Sequence, residues 1–242
     1  MRVGLFVTCL VDLMRPRIGF AALELLEAAG CEVVVPETQT CCGQPGYNAG
    51  DFESARALAL KLVAEFEHCE FIVVPSGSCA GMLHAHYPKL FEHDPANRER
   101  VQRIADRSVE LTDFLARVVR LDVVPGRFNG TLTYHDSCSG LRELDVQSQP
   151  RALLAKVPGL KLVEMREATT CCGFGGTFAV KYGDISARMA ERKCQCIADT
   201  NSDAIAAGDL GCLLNIEGTL RRQGDDTTRV LHIAEVLAGE SK

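Results

Sequence analysis

The sequence predicts an α/β protein built as two Rossmann-like lobes related by a pseudo-twofold, each with its own parallel sheet. Three observations lead there. Short apolar strand candidates alternate with helical segments along the whole chain. One cysteine pattern occurs twice: Cys9, Cys41-Cys42-Gly43 and Cys79, then Cys138, Cys171-Cys172-Gly173 and Cys212. Matching cysteines are offset by 129, 130 and 133 residues, so the halves repeat nearly in register. The expected lobes are residues 1–122 and 123–242, linked near Val124–Asn129, where Pro125 and Gly126 break regular structure.

The elements pair off between the halves. Arg2–Thr8 is a strand candidate ending at Cys9, and Gly130–Asp136 is its counterpart before Cys138. A helix follows each, over Arg15–Ala29 and Gln149–Lys156. Short strands at Cys31–Val35 and Leu160–Glu164 lead into the two Cys-Cys-Gly turns. Beyond the turns, Phe52–His68 and Ile185–Thr200 carry apolar residues at helical spacing, with Asp51 and Asp184 placed to cap them. Third strands at Phe71–Pro75 and Ala204–Ala207 precede Cys79 and Cys212. Helices over Val109–Val118 and Leu231–Ala238 close the halves. Strand–helix alternation of this kind means parallel pairing through right-handed crossovers.

Composition narrows the function classes. The 242 residues are 47% apolar, enough for a real core. A net charge of -6 and the absence of a basic cluster argue against nucleic acid as a partner. The mixed-charge stretch 97–107 reads as a solvated helix face. No apolar run approaches the ~20 residues of a membrane span. Met1–Met14 is apolar but short and contains Asp12, which suits a buried first strand better than a secretory signal. The expected location is cytoplasmic, where thiols stay reduced and twelve cysteines imply metal or redox chemistry rather than disulfides.

Each copy of the pattern offers four thiolates, enough for one iron–sulfur cluster or one tetrahedral zinc. The cysteines fall at the carboxyl ends of the expected strands, the edge where open parallel sheets bind ligands. Cys9, Cys79, Cys138 and Cys212 also lie near helix starts, which favour the thiolate. Neighbouring side chains on an extended chain point to opposite faces, so Cys41-Cys42 and Cys171-Cys172 share a site only if the backbone turns sharply. Gly43 and Gly173 permit that turn. Adjacent thiolates suit different irons of a cluster better than a single zinc, which favours iron–sulfur and leaves zinc open for one lobe.

These stretches resemble the cysteine-rich CCG-domain family, within it the lactate-utilization proteins. The resemblance runs through Thr8-Cys9-Leu10-Val11-Asp12, Cys41-Cys42-Gly43-Gln44-Pro45 and Pro75-Ser76-Gly77-Ser78-Cys79. In the second half it runs through Tyr134-His135-Asp136-Ser137-Cys138, Cys171 to Phe178, and Cys212-Leu213-Leu214-Asn215-Ile216. It implies an iron–sulfur electron-transfer subunit of a complex that oxidises L-lactate to pyruvate. The clusters would be of [4Fe–4S] type, one per lobe, on Cys9, Cys41, Cys42 and Cys79 and on Cys138, Cys171, Cys172 and Cys212. The implied partners are a ferredoxin-domain iron–sulfur subunit and a further lactate-utilization subunit. Related domains in the glycolate oxidase iron–sulfur subunit and in heterodisulfide reductase hold non-cubane clusters on a motif that ends in Cys-x-x-Cys. This chain has Met82 and Asn215 at the last cysteine position, giving four thiols per site instead of five. Two rival roles stand beside electron transfer: a zinc-stabilised scaffold, and thiol–disulfide chemistry like that of the heterodisulfide enzymes.

Other residues carry weaker signals. No motif places a catalytic residue; His135 and Asp136, beside Cys138, are candidates for a proton relay or a hydrogen-bonding pair next to the metal. His84 and His86 follow Cys79 on an expected helix and could replace the missing ligand near Met82, but they and His232 are expected to be surface residues, and Cys31 and Cys69 to pack in the core. Cys194 and Cys196 are two apart on a helix, so they do not share a face. Gly173-Phe174-Gly175-Gly176 does not match a nucleotide-binding loop and fits close backbone approach to a metal centre.

Overall fold

The computed structural model describes residues 1–239. Its strands are β1 (Arg2–Leu5), β2 (Glu32–Val34), β3 (Phe71–Val74), β4 (Ser108–Glu110), β5 (Gly130–His135), β6 (Leu160–Leu162), β7 (Ala204–Ala207) and β8 (Arg229–His232). They form two four-stranded parallel sheets of the same order, β2-β1-β3-β4 and β6-β5-β7-β8. The α/β class and the repeat of one sheet in two lobes are as the sequence predicts.

The central strands are apolar runs, Phe-Ile-Val-Val in β3 and Ala-Ile-Ala-Ala in β7. Strands buried on both faces need that composition. Val3 pairs with Phe71 in β1–β3, and Leu132 pairs with Ala204 in β5–β7. The registers make Val3 equivalent to Leu132, and hence Phe6 to His135.

Three sequence expectations need correction. The segments expected as helices over Val109–Val118 and Leu231–Ala238 begin with the fourth strands β4 and β8. Each strand is only three or four residues long and is fixed by pairing with its neighbour, so periodicity could not reveal it. Asp51 does cap the helix Phe52–Phe66, its carboxylate accepting from the Ser54 amide at 3.1 Å. Asp184 caps nothing: the helix starts earlier, at Gly183, and Asp184 lies in its first turn. Short helices at Cys9–Met14, Gln44–Ala49 and Thr177–Lys181 come in addition to those expected.

One apolar cluster runs through both lobes. Val73, Leu111 and Phe114 of the first half lie in the same cluster as Leu132, Tyr134, Ala206, Ile233 and Leu237 of the second. Helix Ile233–Ala238 packs on helix Arg17–Ala28, and helix Gly77–Gly81 packs on helix Cys138–Leu144. The second contact requires glycine: a Cβ on Gly77 would lie 2.5 Å from Ser137 Oγ and 3.0 Å from Gly140. Arg15 ties the halves together from the first lobe, donating to the Val230 carbonyl at 3.0 Å and to Glu217 at 2.8 Å. These contacts bring the carboxyl ends of the two sheets side by side. No helix among the described residues is long and apolar enough to cross a membrane.

Glu110 ends β4 in this buried interface. Its Oε2 accepts from the Thr112 amide and hydroxyl and from the Asp113 amide, while Oε1 has no partner. Burial raises its carboxyl to about 7, against its ordinary 4.5. The folded protein therefore keeps a proton that the unfolded chain releases. That contribution to stability is complete below pH 4.5 and is lost as pH rises to about 7. Glu110→Gln is expected to match the wild type in stability near pH 4.5. Above pH 7 it should exceed it by up to roughly 3 kcal/mol. Denaturant unfolding of both proteins across this range is the check; a difference that does not change with pH would refute it.

Candidate metal centres

Each cysteine set gathers at the point where its strand order reverses. Cys9 follows β1 and Cys79 follows β3, the two strands that flank the reversal; Cys138 and Cys212 do the same after β5 and β7. Open α/β sheets bind ligands in this crevice. Cys9 and Cys138 open helices Cys9–Met14 and Cys138–Leu144, and Cys79 and Cys212 lie in the first turns of theirs. The Cys-Cys pairs enter from the loops after β2 and β6.

The sulfurs form a line of contacts in each lobe. In the first it runs from Cys9 through Cys41 and Cys42 to Cys79, with Cys42 Sγ 3.4 Å from Cys79 Sγ. In the second it runs from Cys138 through Cys171 and Cys172 to Cys212. All twelve cysteines are free thiols. The turn that makes this arrangement depends on the glycines: Gly43 and Gly173 have φ of +84° and +88°, in the left-handed region. Each also directs its amide at the first sulfur of its pair, at 3.4 Å. Before Cys9, Thr8 too adopts a positive φ, 76°, a strained value for a β-branched residue.

The electrostatics are those of a site that wants a cation. Hydrogen bonds from Cys42 and Cys9 hold Cys41 far below the ordinary thiol range, and bonds from Cys138 and Cys172 do the same for Cys171. The neighbours move the other way. Cys9, Cys42, Cys138 and Cys172 are pushed up, first by donating to the adjacent thiolate and then by burial. Thiols packed this closely oppose one another's ionisation, and positive charge among the sulfurs relieves that opposition. Four converging soft donors with this property fit a thiophilic metal or an iron–sulfur cluster.

Two cavities are each lined by a complete cysteine set. One of about 180 Å³ is lined by Cys9, Cys41, Cys42 and Cys79 with Phe174, Asp209 and Gly211 of the other lobe. The second, of about 250 Å³, is lined by Cys138, Cys171, Cys172 and Cys212 with Gln44, Ser78 and His86 of the first lobe. Gln44, Ser78, Phe174, Gly176 and Asp209 line both. Asp209 binds the lobes together here: its Oδ2 accepts from the Ser78 amide at 2.9 Å and the Ser76 hydroxyl at 3.2 Å, and its Oδ1 from Gly211 at 3.1 Å. Sequence reasoning missed this residue, although its position before a helix is a capping signal.

The remaining candidates divide by location. Met82 is fully buried in apolar packing. Asn215 donates its amide to the Cys172 carbonyl at 2.9 Å, so it steadies the Cys-Cys turn. Asp136 is buried and gripped by both Arg151 terminal nitrogens, at 2.7 and 3.0 Å. His135 is completely buried; its Nδ1 lies 3.2 Å from the Ala168 carbonyl, and burial, then the charge of Lys193, lower its pKa to about 3. His86 faces the second cavity, with Nε2 3.1 Å from Glu143 and Nδ1 3.2 Å from the Tyr47 hydroxyl. His84 is exposed, as expected, and meets the Ala105 carbonyl; His232 corrects its surface expectation, being fully buried with its ring turned in to cap the last helix. Cys69 and Cys194 are buried in the core clusters, and Cys31 packs against one of them. Cys196 is buried in the same cluster as Cys194, and the Cys194 thiol donates to the Ile216 carbonyl.

The model of the cysteine-rich CCG domain matches residues 3–84 and 132–217, and each segment contains one complete cysteine set. "Lactate utilization protein A" of Anoxybacillus flavithermus is 48% identical over 237 residues, covering 98% of this chain and 99% of that protein. The protein of the same name from Bacillus cytotoxicus is 46% identical over 241 residues, with 100% of both chains covered. The chain belongs to the lactate utilization protein A family of cysteine-rich CCG-domain proteins. A solved structure described as a hypothetical protein from Helicobacter pylori shares this CCG-domain protein's fold at TM-score 0.65 and 12% identity. The match covers all of this chain and 49% of that one.

In this CCG-domain protein the turn glycines should not tolerate a side chain. A Cβ at Gly173 would lie 2.7 Å from the Ser186 carbonyl oxygen, whereas at Gly43 the nearest atoms are Ala55 backbone atoms at 3.3 Å. The left-handed backbone alone costs about 1–2 kcal/mol for a residue with a Cβ. Gly173→Ala is expected to lose more stability than Gly43→Ala, and each to lower metal content in its own lobe. Equal, negligible losses in denaturant unfolding would refute the role given to the turns.

Proposed function

We propose that this chain is an iron–sulfur electron-transfer subunit of a complex that oxidises L-lactate to pyruvate. Cys9, Cys41, Cys42 and Cys79 would hold one cluster, and Cys138, Cys171, Cys172 and Cys212 the other. The observation that carries this is the convergence of two equivalent four-sulfur sets, each at the strand-order reversal of its own sheet. The relatives' name supplies the link to lactate. Oxidation of a 2-hydroxy acid to a 2-oxo acid releases two electrons, and a bound cluster would supply a one-electron carrier in each lobe. This chain's own residues arrange the site: the Gly43 and Gly173 amides point at sulfur, and Asp209 fixes the wall between the cavities. The other redox groups belong to partners, a ferredoxin-domain iron–sulfur subunit and a further lactate-utilization subunit, in the cytoplasm.

A zinc-stabilised scaffold is the second reading, favoured by the count of four sulfurs per set with Met82 and Asn215 beyond them. Cys42→Ser and Cys172→Ser variants, assembled in the complex, separate the two. An electron relay requires lactate oxidation to fall by more than the ~10–100-fold that losing an outer-shell partner costs. Complexes that assemble and turn over at the wild-type rate with either serine would overturn the relay.

A further inference from the structure

The two centres are not equivalent, because the second lobe adds a nitrogen donor. His135 ends β5, and its imidazole is fully buried. Nδ1 faces the Ala168 carbonyl, which only accepts, so Nδ1 carries the ring proton and Nε2 keeps its lone pair. Nε2 has no hydrogen-bond partner among the described residues. An orphaned buried acceptor in a native protein calls for a reason. A ring nitrogen of His135 and the sulfurs of Cys172 and Cys212 all lie within 4.8 Å of one another. With Nδ1 committed to Ala168, Nε2 is the nitrogen left to join them.

We propose that His135 is a ligand of the metal centre in the second lobe, bonding through Nε2, while the centre in the first lobe is held by sulfur alone. The inference rests on the second cysteine set binding metal, whether iron or zinc. The Ala168 carbonyl then does what outer groups do for metal-bound histidine: it fixes the tautomer and the ring orientation. In the first lobe the equivalent residue is Phe6, whose ring packs edge-on against Phe66 with centroids 6.1 Å apart. A phenyl ring has no donor atom to offer. Asn215 does not compete in the second lobe, since its amide donates to the Cys172 carbonyl. The histidine thus answers, for one lobe only, the missing fifth cysteine.

The full-length chain, labelled with [15N]histidine and purified without oxygen, allows a direct test. Pulsed electron paramagnetic resonance of the reduced protein should resolve a 15N nucleus bonded directly to the metal. His135→Phe, which installs the first lobe's residue, should abolish that coupling. Analysis of iron, sulfide and zinc in the same sample judges the cluster reading separately. If the metal is zinc, substitution by cobalt(II) gives the same spectroscopic readout. A wild-type spectrum without directly bonded histidine nitrogen would overturn the proposal, and so would a coupling that persists in His135→Phe. The wild-type spectrum decides the matter even if the variant folds poorly.

Discussion

Adjacent cysteines on an extended chain point to opposite faces, and both sulfurs of a pair reach one site only where the backbone reverses. In this protein the reversal is a left-handed glycine, Gly43 or Gly173, and the rest of each centre is built around it. The glycine amide points back at the first sulfur of the pair. The second sulfur turns inward to the cysteine that follows the third strand of its lobe, Cys79 or Cys212. Sulfurs so close oppose one another's ionisation, as the opposite shifts within each set express. Binding a cation relieves that opposition, so the fold holds in readiness an arrangement that metal would stabilise.

Duplication explains why there are two such sets, and divergence explains how they differ. The sheets share one strand order, and Val3 and Leu132 occupy the same place in register. Around the sulfurs the equivalence fails. Phe6 corresponds to His135, an apolar ring to a ring with a free lone pair. The segment after Cys79 widens into a π-helical turn at Met82–His86, whereas Cys212 belongs to the unbroken helix Leu210–Arg222. Lys193, buried beneath the second set, donates to the Glu167 and Ala168 carbonyls and brings a cation near Cys172 and Cys212. Two cysteine sets of common origin thus sit in different electrostatic fields.

The parts visible in the sequence were those encoded locally. β7 falls on the residues expected from its apolar run, and Asp51 caps its helix as its side-chain chemistry implies. The cysteine spacing alone indicated that each set of four sulfurs converges, because each cysteine follows a strand and parallel strands end at one edge. Features set by tertiary contact stayed hidden. β4 and β8 are too short to show a period, and Asp184 gave a capping signal at a helix that starts one residue earlier. Asp209 joins the lobes through Ser76 and Ser78, more than a hundred residues away, a relation that no local pattern reports. His135 stood out by its place beside Cys138, but the orphaned nitrogen that distinguishes it appears only in three dimensions.

The proposed function places two redox metal centres in the duplicated fold, one per lobe. It is tested most directly by quantifying iron, acid-labile sulfide and zinc per chain in the anaerobically purified full-length protein. Two such centres require iron and sulfide sufficient for a cluster in each lobe, with an electron paramagnetic resonance signal that appears or disappears on reduction. Stoichiometric zinc in both lobes, with no iron, would contradict it.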